Sequence, residues 1–336
     1  MAEPERIVAE VASAVGLAEG EPGVRAVVAA LARLEPVSIR RISRAAELPV
    51  PIVAAVCGEL RKRSIVAHER PAQLTPLGRA AFSRGALRHK GGDVCPTCAG
   101  REVVVPARLR RLVAEVERRS ARAPQPLVEL DQCHCTADSK LRRVLAMHHV
   151  DALVGRRVLL LGDDDLISLA LATIVDRLGT EATLKRLTVV DLDARLVSFL
   201  SGELAASAFP TSVVRHDLRE PLPAELVGAF DTVVTDPPFT ASGARLFLSR
   251  AADALAGASG DVFLSFGSKR PGAVFELQRA ILEQGFAIRR LVRDFNEYVG
   301  AGVLGGTSHL YHLVATEHLC PAVTGTFDGP LYTADR

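Results

Sequence analysis

RVLLLGDDDLISLALA, Arg157–Ala172, decides the fold. A short apolar strand runs into a single glycine, three acids follow, and an apolar helix is expected over 165–178. This is the opening turn of a Rossmann crossover, where the chain passes over a ligand at the carboxyl edge of a parallel sheet. Working outward, the alternation recurs. RLTVVDL (186–192), SVVRHD (212–217), FDTVVTD (230–236), GDVFLSF (260–266), AIRRLVRDF (287–295) and LYHLVATEH (310–318) read as strands. Helices are expected between them at 194–208, 241–256 and 271–284. Strand and helix in turn predict a parallel α/β sheet.

Seven strands, the last two after the final helix, fit a Rossmann-type, class I methyltransferase-like domain over residues 151–320, with a tail at 321–336. Residues 1–83 read as a winged-helix domain. Val24, Val27, Val28 and Leu31 mark a helix over 23–34. Ser38 caps a second over 39–47, Pro49 breaks the chain, and a third follows over 51–63. Residues 64–74 form the wing, and Thr75 caps LGRAAF. The third helix is where such domains enter the DNA major groove, but PIVAAVCGELRKR is basic only at its end. Nucleic acid is therefore a secondary expectation, and packing or homodimer formation the first. Residues 84–150 read as a connecting region with a basic helix at 106–119.

Hydrophobic residues make up 48% and charged residues 24% of 336, as in a globular protein. No apolar run reaches the roughly 18 residues of a membrane span, and MAEPERIVAEVASAV lacks the features of a signal peptide, so the cytoplasm is expected. Net charge is +2, but residues 1–120 carry 20 Lys/Arg against 13 Asp/Glu, leaving 21 against 26 beyond them. The acidic part favours a cationic ligand over a phosphate-rich one.

Four strand ends carry the chemistry. After the first, Gly162 precedes Asp163, Asp164 and Asp165. One Asp suffices to cap a helix and three repel one another, so the trio reads as a site that attracts ammonium groups. Asp191, after the second strand, is placed to accept from ribose hydroxyls, with Asp193 capping the next helix. Asp217, after the third, is placed to meet the adenine amino group. The fourth ends in TDPPFT (235–240), close to the [DNS]PP[YF] signature of amine-directed methyltransferases. There Pro237 and Pro238 fix a turn that aims the Asp236 carboxylate and a backbone carbonyl at one amine, and Phe239 packs on the substrate.

GDDD together with DPPF resembles the branched-chain polyamine synthases, or N(4)-bis(aminopropyl)spermidine synthases. The likeness runs through LDQxxxT (130–136), VVDLD, HDLREPLP, Gly243 and GGTSHLYHL, over residues 124–316. It implies transfer of aminopropyl groups from decarboxylated S-adenosylmethionine to spermidine or a similar polyamine, with methylthioadenosine released. Asp165 or Asp164 is then the proton acceptor and Asp236 the second acceptor, with Gly162, Asp163, Asp191 and Asp217 on the nucleoside. Phe239 stands where tyrosine is expected, and Cys133-His134-Cys135 is unusual; both leave the acceptor and the number of additions open.

Two further expectations concern other residues. Cys95, Cys98, Cys133 and Cys135 have a spacing that could close a structural zinc site, with His134 or His89 as substitutes. FNEYVGAGVLGGTSHL (295–310) is glycine-rich; it reads as a lid with Asp294 or Glu297 reaching polyamine nitrogens, or as a long strand connection. Two rival functions remain. One is an S-adenosylmethionine-dependent N-methyltransferase, with nucleic acid among its substrates. The other is a winged-helix regulator that senses polyamines.

Overall fold

The structure, a computed structural model, describes residues 4–82, 95, 97–98, 100–175, 184–267, 271–300 and 306–335. The chain divides into two compact units, one built on Met1–Pro96, the other on Thr97–Gly267, Gly272–Gly300 and Thr307–Arg336.

The first unit holds α1 (Pro4–Val15), α2 (Gly20–Leu34), α3 (Ile39–Ala46), α4 (Val50–Lys62) and α5 (Pro76–Phe82). Val24, Val27, Val28 and Leu31 are buried, as their helical spacing requires. The Ser38 hydroxyl accepts the Arg41 N–H at 3.4 Å and the Thr75 hydroxyl the Gly78 N–H at 3.0 Å, so both expected caps form. Between α4 and α5 the chain doubles back through an antiparallel bridge, Val66 to Leu74, and Ala72 bridges Val37. Helix α1 adds to the expected set; its Ile7, Val8 and Val11 join the same core.

The second unit is built on one seven-stranded sheet. Its strands are β1 (Arg157–Leu161), β2 (Arg186–Asp191), β3 (Thr211–Arg215), β4 (Thr232–Thr235), β5 (Asp261–Phe266), β6 (Phe286–Glu297) and β7 (Thr307–Ala315). They lie in the order β3-β2-β1-β4-β5-β7-β6. Strands β1–β5 are parallel, and β7 runs antiparallel to both β5 and β6. Four of the five β1 residues are buried, because parallel strands covered on both faces need no polar alternation. The covering helices are α8 (Ile167–Ile174), α9 (Ala194–Leu204), α10 (Ala241–Ala254) and α11 (Pro271–Glu283).

Residues 100–150 do not stand apart as a connector. Helices α6 (Arg110–Ser120) and α7 (Ala137–His148) place Val116, Leu141, Val144 and Leu145 in the core that also holds β1 and β2. The tail belongs to this unit as well. Arg250 of α10, fully buried, donates to the Leu218 carbonyl after β3 (2.9 Å) and to the Val323 (3.1 Å) and Gly325 (2.7 Å) carbonyls. Strand order reverses direction at β1, between β2 and β4. A crevice opens there, outside the carboxyl ends of the strands.

Candidate active site

The cleft at this reversal is lined by the turns that leave β1, β2, β3 and β4. Gly162 forms its floor with φ +72°, a conformation that costs a side-chain-bearing residue strain.

The three acids after Gly162 have different roles. Asp163 is fully buried; its carboxylate accepts the Ile167 N–H (2.7 Å) and the Ser168 N–H and hydroxyl, so it caps α8 and does not line the cleft. The expectation of Asp163 on a nucleoside is corrected accordingly: one acid of the trio is spent on the orphan amides of a helix start. Asp165 is only 2% exposed and receives Arg143 of α7; it too is absent from the cleft wall. Asp164 faces the cleft and accepts the Cys133 N–H at 2.6 Å.

Asp236 also faces the cleft. The Tyr298 hydroxyl donates to it at 2.5 Å, and the Arg143 guanidinium lies 3.9 Å away. Burial, and next the neighbouring Asp165, push the Asp236 carboxyl up to about 8, although Arg143 and Tyr298 pull the other way. Burial followed by Asp165 and Asp236 likewise raises Asp164 well above the usual carboxylate range. Carboxyls desolvated beside one another hold protons until a cation arrives.

Asp191 ends β2 in the cleft wall. Its oxygens accept the Asp163 N–H (3.0 Å) and the Asp193 N–H (2.9 Å), and burial raises its carboxyl. Asp193 caps α9, as expected. Asp217 lines the cleft and accepts the Arg219 N–H at 2.9 Å. Pro238 lines the cleft, whereas Pro237 is buried outside it. Phe239 packs on Phe266, ring centroids 5.3 Å apart, and edge-on to Tyr298 at 6.4 Å. Gly243 permits this turn: a Cβ there would sit 2.4 Å from the Pro238 carbonyl oxygen.

Other expectations are overturned. Glu297 pairs with Arg101 at 2.6 Å, and Asp294 accepts the Thr307 hydroxyl at 2.9 Å; neither lines the cleft. Strand alternation explains it, since the residue next to Glu297 points the other way, and that residue is Tyr298. Of the expected lid, residues 301–305 lie outside the described residues. Cys133 and Cys135 are not gathered with Cys98 into a thiolate cluster. Among the described residues, the only candidate metal group is Cys135 with Asp165 and Asp236, its ligand atoms within 4.8 Å of one another. The CHC segment runs instead along residues 297–299: Thr136 N–H donates to the Glu297 carbonyl (2.8 Å) and Val299 N–H to that of His134 (2.9 Å). Burial, then Asp164, push the Cys133 thiol up to about 12.

Residues missed in the sequence include Arg143, Tyr298, His216, Asp131 and Tyr332, the last four from segments far apart in the chain. The signal for Arg143 was charge balance, because a buried acid such as Asp165 needs a counter-cation. Nothing local marked Tyr332, which reaches the cleft from the tail.

Strand order and an acidic cleft at the strand-order reversal define a class I methyltransferase-like domain with a site suited to a cationic ligand. Residues 111–319 match the branched-chain polyamine synthase A C-terminal domain. The N(4)-bis(aminopropyl)spermidine synthase of Thermococcus kodakarensis is 31% identical over 273 residues, 80% of this chain and 75% of that one. That of Thermus thermophilus is 34% identical over 251 residues, 69% of this chain and 70% of that one. The Methanocaldococcus jannaschii protein MJ0675 is 34% identical over 306 residues, covering 90% of this chain and 76% of that one. The crystal structure of the branched-chain polyamine synthase from Thermus thermophilus, in complex with N4-aminopropylspermidine and 5′-methylthioadenosine, superposes with a TM-score of 0.77. The match has 25% identity and covers 99% of this chain and 98% of that one. The chain belongs to the branched-chain polyamine synthase family.

Proposed function

We propose that this chain transfers aminopropyl groups from decarboxylated S-adenosylmethionine to an amine nitrogen of spermidine or a similar polyamine, giving a branched polyamine and methylthioadenosine. One observation carries the reading. Asp131, Asp164, Asp191, Asp217 and Asp236 line the cleft, and among the described residues no Lys or Arg does. Such a wall suits a sulfonium bearing a free amine, and a polycation beside it. It repels the carboxylate of S-adenosylmethionine and the phosphates of nucleic acid, which disfavours the N-methyltransferase alternative.

Asp191 and Asp217 take the nucleoside; each Asp191 oxygen keeps a lone pair beyond the backbone amides it already accepts. Asp164 and Asp236 hold the acceptor amine and receive its proton, while Arg143 and Asp165 form the ion pair next to them. The neutral nitrogen attacks the methylene beside sulfur, the new C–N bond forms as the C–S bond breaks, and the electron pair leaves on the sulfur of methylthioadenosine. The nitrogen's proton goes to a carboxylate whose affinity near neutrality matches the task. No covalent intermediate is needed, so positioning supplies much of the rate. We read the first unit as a winged helix and place the protein in the cytoplasm. No helix among the described residues is long and apolar enough to cross a membrane.

The test supplies purified protein with decarboxylated S-adenosylmethionine and spermidine, and in parallel with S-adenosylmethionine, and identifies products by mass. Aminopropylated spermidine with an equal amount of methylthioadenosine is expected. Transfer of methyl groups alone would refute the proposal.

A further inference from the structure

The DPPF turn lacks the hydroxyl that a tyrosine at Phe239 would bring, yet Asp236 does not lack a hydroxyl partner. Tyr298, just past β6, lies edge-on to Phe239 and donates to Asp236 Oδ2 at 2.5 Å. Its oxygen also shares a hydrogen bond with Ser308 Oγ at 2.7 Å. Ser308 accepts from Asn296 Nδ2 at 2.9 Å, and the same nitrogen reaches Ser265 Oγ at 2.9 Å. Ser265, Asn296 and Ser308 are fully buried, on β5, β6 and β7. Rigid strands therefore aim one hydroxyl at one carboxylate oxygen.

We propose that Tyr298 is the positioning residue of Asp236, its hydroxyl holding the carboxylate toward the acceptor amine and reversing its hydrogen bond when Asp236 takes the proton. The inference rests on the functional reading above and adds a role for a residue outside the motifs. With Asp236 ionised, the chain of donors runs Asn296 N–H, Ser308 O–H, Tyr298 O–H, Asp236. With Asp236 protonated it runs the other way: Asp236 donates to Tyr298, and Tyr298 donates to Ser308. Ser308 then needs an acceptor. Asn296 Oδ1 is buried without a hydrogen-bond partner, and turning the amide over presents it to Ser308.

Asp236 is faced by Asp164 and Asp165 from the β1–α8 turn, Arg143 from α7, Cys133 and Cys135 from the segment before α7, and Tyr298. Of these, Arg143 and Tyr298 favour its ionised form, and Tyr298 alone does so by a donated hydrogen bond from a neutral group. Burial, and next Asp236 itself, keep the Tyr298 hydroxyl protonated, so it remains a donor.

The experiment compares full-length protein with Tyr298→Phe and Ser308→Ala, following kcat/KM for spermidine against pH. Tyr298→Phe is expected to lose about ten-fold at pH 7 and to move the midpoint of the profile upward by about half a unit or more. Ser308→Ala moves it the same way by less. Affinity for methylthioadenosine stays as in the parent. A profile superimposable on the parent's, or one lowered equally at every pH, would overturn the proposal by reducing Tyr298 to packing. Should Tyr298→Phe fail to fold, Ser308→Ala decides by the same readout. The difference between Tyr298→Phe or Ser308→Ala and the parent in the pH dependence of thermal unfolding reports the change in the proton affinity of Asp236 without turnover. Absence of transfer in the parent would therefore sink the functional reading, while the unfolding midpoint still decides the role of Tyr298.

Discussion

Asp236 holds its proton through most of the neutral range because burial beside Asp165 pushes its carboxyl up to about 8. An unfolded Asp gives its proton up near pH 4. Between about 4 and 8 the native chain thus binds a proton that the unfolded chain has released, and stability contributed by this group falls as pH rises through that window, then levels off. Asp164, raised for the same first cause, acts with the same sign. Asp236→Asn removes the titration. The variant is expected to match the parent in melting temperature near pH 4, to gain on it progressively up to about pH 8, and to hold a constant lead above. Calorimetric scans across that range check this; a difference independent of pH would place the raised proton affinity on another group. The same substitution should lower turnover by about 100-fold or more, since the acceptor loses both a proton acceptor and an ionic partner. Instability of the acid and its usefulness have one origin, the removal of water from a carboxylate.

At the scale of elements, four strand ends and the helices that follow them place these acids, and two glycines set the turns. Gly243 is the stricter of the two. Thr240 caps α10 by accepting the Gly243 N–H at 2.9 Å, and the Pro238 carbonyl closes over Gly243 so tightly that a methyl group would contact backbone at 2.4 Å. Backbone cannot swing aside as a side chain can. Gly243→Ala is expected to destabilise by about 1–3 kcal/mol, shift the DPPF turn and depress kcat more than the affinity for methylthioadenosine. Denaturant melts with steady-state kinetics test it, and unchanged kcat would mean the turn tolerates the shift. This scale also separates what was legible in the sequence from what was not. Strands β1, β2, β4 and β5 were readable because parallel strands buried on both faces leave uninterrupted apolar runs, and DPPF could be placed because it ends β4. The trio after Gly162 pointed to the right turn but not to the division of labour within it, since capping is decided by which carboxylate meets the free amides of α8. Glu297 was chosen over Tyr298 for its charge, although the pleat turns its carboxylate toward Arg101. Tyr332 and Asp131 reach the cleft through long-range packing, which local pattern does not encode. The cysteine spacing suggested zinc, whereas two of those cysteines lie in a segment that pairs with residues beside β6.

For the whole molecule, charge is sorted along the chain: 20 Lys/Arg against 13 Asp/Glu in residues 1–120, and 21 against 26 afterwards. Within the acidic part it is sorted again, since among the described residues the cleft wall carries five aspartates and no Lys or Arg. A trivalent ligand such as spermidine feels that field at long range; methylthioadenosine, being uncharged, does not. Salt screens charges separated by more than about 10 Å at 0.1 M ionic strength, but it acts weakly on groups already stripped of water. The two ligands should therefore respond differently to salt. Between about 0.05 and 0.5 M sodium chloride, KM for spermidine is expected to rise several-fold as steering and the outer charges are screened. Over the same range, kcat should stay nearly constant if, as proposed, Asp164 and Asp236 meet the bound amine in a desolvated site. The inhibition constant of methylthioadenosine should change by less than about two-fold. Initial rates at four salt concentrations, with methylthioadenosine as product inhibitor, give all three quantities from one preparation. If the nucleoside and the polyamine weaken together, salt is acting on the fold or on the shape of the cleft, and the aspartate wall is not what selects the polycation. If only the polyamine weakens, the cleft recognises its acceptor by charge first and by shape second, which is how a site built from strand-end carboxylates would admit more than one linear polyamine.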